Sequence, residues 1–303
     1  LVTGGAGVGK SHLINCVYGA CTKILRRSES PGDVTVLLLA PTGTAAHNIH
    51  GQTIHSVFKI PPEHSSQYQP LSCDSLNSLR ATLENVKIVI VDEVSMVGGR
   101  LLEYLDGRLR QIMGIRHSEE EAIFGNVSVL AVGDFHQLPP VKASSLILPL
   151  AYYGNVLFRD NFQSIELTEV MRQKDDALFA SALNSLRVRQ KNETMRHEID
   201  NMLKTRIDQP DEPMNALNVF GTHAKCDKHN NNLVNQECNA LFDIPATDLQ
   251  KDASGKLRKL PKYKKGHSSA MPDVLKVGVN ARVMLMRNLD VSNGLVNGVF
   301  GRV

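Results

Sequence analysis

Apolar residues fall into two patterns along this chain. Short unbroken runs form the first: Val34–Ala40 (VTVLLLA), Ile88–Val91 (IVIV) and Val127–Val132 (VSVLAV), with Leu1–Thr3 reading as the end of another. Each is brief, rich in β-branched side chains and without strict polar alternation, which predicts strands covered on both faces, as in a parallel sheet flanked by helices. Helical spacing forms the second. Leu13, Ile14, Val17, Ile24 and Leu25 predict a helix after Ser11, locally weakened by Gly19, and Leu101, Leu102, Leu105, Leu109, Ile112 and Met113 predict another. This alternation describes a doubly wound α/β domain, expected over residues 1–162 with a small insertion within 50–85. A second α/β unit is expected over 163–303, beginning near Ile165. It would hold a charged helical stretch from Asp175 to Ile207, a Pro/Asp-rich break at Gln209–Pro213 and an insertion within 240–303.

Each strand is followed by polar chemistry. Gly4–Ser11 follows the first, Pro41-Thr42-Gly43 the second, Asp92-Glu93 the third, and Gly133-Asp134 with Gln137 the fourth. Ligands of open α/β sheets bind beyond the carboxyl ends of the strands, so these groups are expected to share one edge. Gly4, Gly9, Lys10 and Ser11 fit the phosphate-loop pattern G-x-x-x-x-G-K-[ST]. In that reading Gly4, Gly5, Ala6, Gly7, Val8 and Gly9 wrap backbone N–H groups around phosphate oxygens, Lys10 neutralises the β- and γ-phosphates, and the Ser11 hydroxyl ligates magnesium. The competing reading is a flexible glycine turn, which the strand-to-helix context disfavours.

Three further segments extend the chemistry. In VIVDEVS, Asp92 can hold a metal directly or through water while Glu93 polarises an attacking water; alternatively, the pair only caps the next element. In VGDFHQLPPV, the Gln137 amide can sense a γ-phosphate or position water, with Pro139-Pro140 stiffening the segment. In LTEVMRQ, Arg172 lies just past the expected first domain, where it is either an arginine inserted onto the γ-phosphate from a neighbouring domain or a surface ion pair with Glu169.

Composition narrows the class without choosing the function. With 303 residues the chain can bury more than one core, and 42% apolar with 21% charged residues describes a globular protein. No apolar run approaches the roughly 18 residues of a spanning helix, so no membrane partner is expected. The five cysteines are scattered without a C-x-x-C pair, which points to free thiols in a reducing compartment, and Cys226 with His229 is too small a set for zinc. A net charge of +3 neither requires nor excludes nucleic acid. Its distribution adds one candidate: Lys251, Lys256, Arg258, Lys259, Lys262, Lys264 and Lys265 surround Tyr263, with Asp252 opposing them. Such a loop either tracks a phosphate backbone or is a solvated surface.

GGAGVGKS, APTGTAAHNI, GQTIHSVF, VIVDEVSMV, AVGDFHQLPPV, LTEVMRQ and GLVNGVFGRV, in this order, resemble the Pif (petite integration frequency) family of superfamily-one DNA helicases, including the helicase regions of Helitron-type transposons. The resemblance implies a RecA-like phosphate-loop domain followed by a partial second RecA-like domain with insertions. It implies ATP and Mg2+ as cofactors, and ATP-dependent 5′-to-3′ movement on single-stranded DNA with unwinding at duplex junctions by a monomeric, nuclear protein. It assigns Lys10 and Ser11 to phosphate and magnesium, Asp92 and Glu93 to metal and water activation, Gln137 to γ-phosphate sensing and Arg172 to the arginine finger.

The resemblance also gives DNA-facing roles to Pro41, Thr42 and Gly43, and to Thr53 and His55. Each has a structural alternative: Thr42 as a helix cap, His55 as a satisfied structural residue, and nearby Phe58 as core rather than a stacking face. The family's adenine-recognising Gln upstream and its later arginine downstream lie outside this sequence, which therefore reads as cut at both ends. A catalytically incomplete, transposon-derived nucleotide- and DNA-binding fragment is the alternative to an active helicase; a small-molecule kinase would leave GDFHQLPP and the second unit without a use.

Overall fold

The computed structural model describes the chain except for residues 26–31, 62–66, 116–121, 148–155, 173–175, 189–196, 198, 203, 205–216, 239, 248, 252–255 and 260–273. Two compact units are present: Leu1–Gln209 with Arg287–Asn297, and Pro210–Met286 with Gly298–Val303.

The first unit is built on a six-stranded sheet. Its strands are β1 (Val2–Gly4), β2 (Val36–Ala40), β3 (Gln52–Thr53), β4 (Ile88–Val91), β5 (Ser128–Gly133) and β6 (Ile165–Leu167), in the order β3-β2-β4-β5-β1-β6. Every pairing is parallel. Helices α1 (Lys10–Leu25) and α2 (Gly43–Asn48) cover one face, while α3 (Ile54–Val57), α4 (Cys73–Leu83), α5 (Gly99–Met113) and α6 (Val156–Asn161) lie on the other.

Alternation along each strand divides the core accordingly. Leu37, Leu39, Val89 and Val91 join the cluster under α4 and α5, whereas Val36, Leu38, Ala40 and Ile90 pack with Ile14, Ala46 and Ile49. This two-sided burial is why the runs lack polar positions. In α1 the core-facing stripe runs through Ile14, which is fully buried, and the half-buried Val17, Cys21 and Leu25. Ile24, counted in that stripe from its spacing, sits one position off it and is 80% exposed.

The first unit extends beyond residue 162. Ile165, Glu166 and Leu167 hydrogen-bond alongside Val2, Thr3 and Gly4, so the segment expected to open a second domain instead completes the first sheet. The span 50–85 supplies β3, α3 and α4, and its Gln67–Leu71 portion is clasped to α5. Arg108 of α5, only 3% exposed, donates to the Phe58 carbonyl, the Tyr68 hydroxyl and the Gln69 carbonyl, and lies 5.1 Å from the Tyr68 ring centroid. The buried charge therefore binds this excursion to the core, consistent with the rule that interior charges need polar partners.

In the second unit a helix covers His223–Glu237. The described strands pair antiparallel: β7 (Leu241–Pro245) with β10 (Val274–Gly278), β8 (Leu249–Lys251) with β9 (Leu257–Lys259), and β11 (Arg282–Met284) with β12 (Phe300–Arg302). Arg258 and Lys259 of the basic candidate loop lie on β9, while Lys262, Tyr263, Lys264 and Lys265 lie outside the described residues. All five cysteines are free thiols. Among the described residues no helix is long and apolar enough to cross a membrane.

Candidate nucleotide-binding site

The phosphate loop begins where β1 ends. A Cβ on buried Gly4 would come within 2.6 Å of the Leu167 carbonyl oxygen and 2.8 Å of Val8 Cγ2, so the neighbouring strand leaves room only for glycine. Gly9 closes the loop at φ 89°, a backbone region that L side chains rarely adopt. Helix α1 starts at Lys10 with no acidic side chain in its first turn, so its N-terminal N–H groups present a positive end to the loop. The Lys10 ammonium folds along it, donating to the carbonyls of Gly4 at 2.9 Å and Gly5 at 2.8 Å. Ser11 is exposed on the first turn.

Electrostatic coupling gathers the residues that follow the other strands around Lys10. Burial lowers the Lys10 pKa, the charges of Asp134, Glu93 and Asp92 raise it, and nearby Arg187 lowers it further, leaving it below the ordinary lysine value. Burial raises the Asp92 carboxyl, against the Glu93 N–H that it accepts at 2.9 Å and the charge of Lys10. Burial also raises Glu93, with the Asp92 charge adding to the effect. Glu93 occupies the left-handed region at φ 51°, ψ 44°, and leads into a 3-10 turn (Val94–Met96) without a side-chain capping bond. Capping therefore does not explain this acid at the end of β4. Unusual backbone of this kind concentrates at functional sites.

Beyond β5, Asp134 is the hub. Its wholly buried carboxylate accepts Arg187 Nε at 2.9 Å, the His136 N–H at 3.1 Å and Gln137 Nε2 at 3.2 Å. Burial pulls its pKa upward, but these hydrogen bonds and the Arg187 charge outweigh that and leave it below the ordinary aspartate value. Gln137 is thus held by its amide in an otherwise exposed segment.

The oxygen donors fit magnesium. Asp92 and Glu93 both carry a desolvation cost that a divalent cation would relieve. Among the described residues no group of three or more His, Cys, Asp or Glu gathers into a metal cage. A hydroxyl and one carboxylate, Ser11 and Asp92, suit an ion that keeps several waters and takes phosphate oxygens for the rest.

The candidate DNA-facing residues occupy the same sheet edge, at the adjacent strands β2 and β3. Thr42 Oγ1 accepts the Ala45 N–H at 3.3 Å and caps α2, and Thr53 Oγ1 accepts the Ser56 N–H at 3.3 Å and caps α3. Each hydroxyl accepting here still carries a proton to donate. Pro41 is half-buried between β2 and this cap, and His55 is half-buried within α3. Phe58 is wholly buried in the core, which removes it as a stacking face.

Gly43 is buried beneath Asn288, whose side chain a Cβ would strike. Asn288 belongs to the segment Arg287–Asn297, which returns to this unit: Thr44 Oγ1 donates to the Asn297 carbonyl at 2.6 Å, and His47 Nδ1 lies 3.0 Å from the Val291 carbonyl. Sequence reading missed this support because its partners lie more than 240 positions apart, with |i−j| of 253 and 244.

Arg172 requires a correction. The N–H groups of Met171 and Arg172 both donate to the Gly7 carbonyl, at 2.9 and 3.1 Å, placing this arginine beside the phosphate loop within the first unit rather than in a neighbouring domain. Its side chain is exposed. Arg187 and the full role of Asp134 were not assigned from sequence; the apolar run Val127–Val132 marks the strand that Asp134 follows, but nothing local marks Arg187.

Residues 1–200 match the PIF1-like helicase family, and residues 271–303 match the 2B domain of DNA helicase Pif1. The ATP-dependent DNA helicase PIF1 of Xenopus laevis is 30% identical over 99% of this chain and 43% of its own length. The chain thus spans less than half of that relative. Among solved structures, the Pif1 helicase from Candida albicans matches with a TM-score of 0.67 and 25% identity over 100% of this chain and 64% of that one. Bacteroides Pif1 in complex with ADP-AlF3 and ssDNA matches with a TM-score of 0.64 and 25% identity, covering 100% and 65% respectively. These matches identify the first unit's parallel sheet as RecA-like.

Proposed function

The chain belongs to the PIF1-like helicase family, and on that premise we propose that it is the ATP-hydrolysing part of a DNA helicase coupling turnover to 5′-to-3′ movement on single-stranded DNA and to duplex unwinding. The observation that carries this reading is the convergence of Asp92, Glu93, Asp134 and Arg187 on Lys10 at the phosphate loop. The edge bearing Thr42 and Thr53 lies on adjoining strands of the same sheet. The ligands of the Bacteroides relative, ADP-AlF3 and ssDNA, are those this arrangement would take.

In this reading the loop N–H groups and Lys10 bind the polyphosphate, Ser11 and Asp92 hold magnesium, and Glu93 accepts a proton from the attacking water. Magnesium held by Ser11 and Asp92 would supply positive charge that offsets the charge on the phosphate oxygens. Gln137 orients water or reads the γ-phosphate. Arg172 reaches the same phosphate from beside Gly7, in cis. Pro41, Thr42, Thr53 and His55 position the DNA backbone, giving salt-sensitive and largely sequence-independent binding, while Gly43, packed beneath Asn288, shapes the turn rather than meeting DNA.

Steady-state ATP turnover with and without a single-stranded oligonucleotide tests the proposal. Stimulation of about tenfold or more is the expected result, while equal turnover in both arms would sink it. Binding of both ligands without turnover would reduce the chain to a nucleotide- and DNA-binding module. Arg172→Ala should slow DNA-stimulated turnover by roughly a thousandfold, the lower range for an arginine finger, with ATP affinity retained; an unchanged rate would remove its assigned role.

A further inference from the structure

We propose that Arg187 is a positioning residue of the nucleotide site, clamping the sensor segment Asp134–Gln137 against the phosphate loop. The inference rests on the ATP-hydrolysis reading above and adds to it a residue outside the motifs that suggested that reading.

Arg187 ends helix α7 (Ala177–Arg187), and its guanidinium is held from both sides. Its Nη1 donates to Asn184 Oδ1 at 3.2 Å, one turn back on the same helix. The opposite edge meets Asp134 as a fork: Nε lies 3.2 and 2.9 Å from the two carboxylate oxygens, and Nη2 lies 3.0 Å from Oδ1. Planar, multiply bonded recognition of this kind fixes direction as well as charge.

The same guanidinium faces the phosphate loop. A Cβ built on Gly5 would lie 3.7 Å from Arg187 Cζ and 3.8 Å from Nε and Nη1, so the guanidinium stands over the loop with space for one methyl group between them. One side chain thereby joins α7 to the end of β5, beside the loop that carries Lys10.

Asp134 explains why this joint matters. The His136 N–H and the Gln137 amide are both held by the carboxylate that Arg187 orients, so Gln137 is placed through Arg187 at one remove. Loss of the arginine would leave a wholly buried carboxylate with two neutral donors and no fork. The carboxylate could then turn, and the Gln137 amide with it. A lysine would keep the charge but present a single point donor in place of a plane. An ion pair with no bearing on the site would hold α7 to the sheet without affecting the ordering of residues 136 and 137.

The whole chain as wild type, Arg187→Lys and Arg187→Ala would be compared by amide hydrogen exchange without nucleotide, then by ATP turnover. In Arg187→Ala, exchange at the backbone N–H of His136, which the Asp134 carboxylate accepts, should be about tenfold faster or more, with Val129–Val132 of β5 unchanged. The kcat for ATP should fall by roughly 10- to 100-fold, the order of loss expected from misplacing a reacting group, while KM stays within about twofold. Arg187→Lys should lie closer to alanine than to wild type.

Unchanged exchange at His136 would overturn the clamp. So would a raised KM with unchanged kcat, because the guanidinium would then be binding phosphate directly. Should Arg187→Ala lose protection throughout β5, the His136 N–H is read in Arg187→Lys: faster exchange there with β5 unchanged supports the clamp, and unchanged exchange refutes it. A wild type that turns over no ATP would defeat the hydrolysis reading alone, since the exchange comparison decides the clamp without it.

Discussion

Lys10→Ala is expected to lower ATP turnover by about a thousandfold or more, measured as phosphate release with magnesium and single-stranded DNA. Groups that neutralise charge on a transferring phosphoryl act in a partly dehydrated site, where each is worth several kcal/mol. Lys10 already lies along the loop, 2.9 and 2.8 Å from the carbonyls of Gly4 and Gly5, so the cation is positioned before phosphate arrives. Arg187 cannot replace it, because its fork is committed to Asp134. Alanine would also withdraw the positive charge that opposes the raised pKa values of Asp92 and Glu93. Thermal stability should change little, because the burial that lowers the Lys10 pKa is a desolvation cost that alanine removes, offsetting the two carbonyl bonds lost. Turnover retained within tenfold would mean that phosphate is held by some other arrangement.

The parts of this fold legible in the sequence were those determined locally. β2, β4 and β5 declared themselves as β-branched runs because both sheet faces are buried, and the phosphate loop did so through glycine spacing. Features determined by a distant partner stayed hidden. β3 is two residues long and exists because Gln52 and Thr53 lie beside Leu39 and Ala40. β6 read as the opening of a new unit because nothing in Ile165–Leu167 says that β1 is its neighbour. Arg108 and the Asp106–Arg110 pair break the apolar stripe of α5 yet are buried, each satisfied by contacts that helical periodicity does not encode.

The site divides in the same way. Lys10, Asp92 and Glu93 follow strands and could be read from that position, whereas Arg187 reaches Asp134 across 53 residues. Thr42 and Thr53 illustrate a third case. Their local sequence fitted both a cap and a nucleic-acid contact, and the structure shows the cap while leaving a donor proton for the other use.

Glu93→Gln should separate catalysis from stability in opposite directions. Removing a positioned general base typically costs about 10²- to 10⁴-fold in rate, so turnover should collapse while ATP and single-stranded DNA still bind, because glutamine preserves shape and leaves the loop and Lys10 intact. The same change should raise the melting temperature. Burial, and then the charge of Asp92, lift the Glu93 pKa above its ordinary 4.5, so the folded protein holds a proton that the unfolded chain has already released. Between 4.5 and the raised folded value, stability therefore falls as pH rises; above both values the full penalty of a charged, poorly solvated carboxylate remains. Neutral glutamine removes that penalty, a gain on the order of 1 kcal/mol for a site that trades stability for function. The gain should be largest at neutral pH and shrink toward zero below 4.5, where both folded and unfolded Glu93 become neutral. Thermal unfolding followed at several pH values, beside nucleotide binding and turnover, tests both halves. A variant that loses turnover but is destabilised at neutral pH would show Glu93 to be held by favourable contacts, contrary to a carboxylate kept in an unfavourable place for its chemistry.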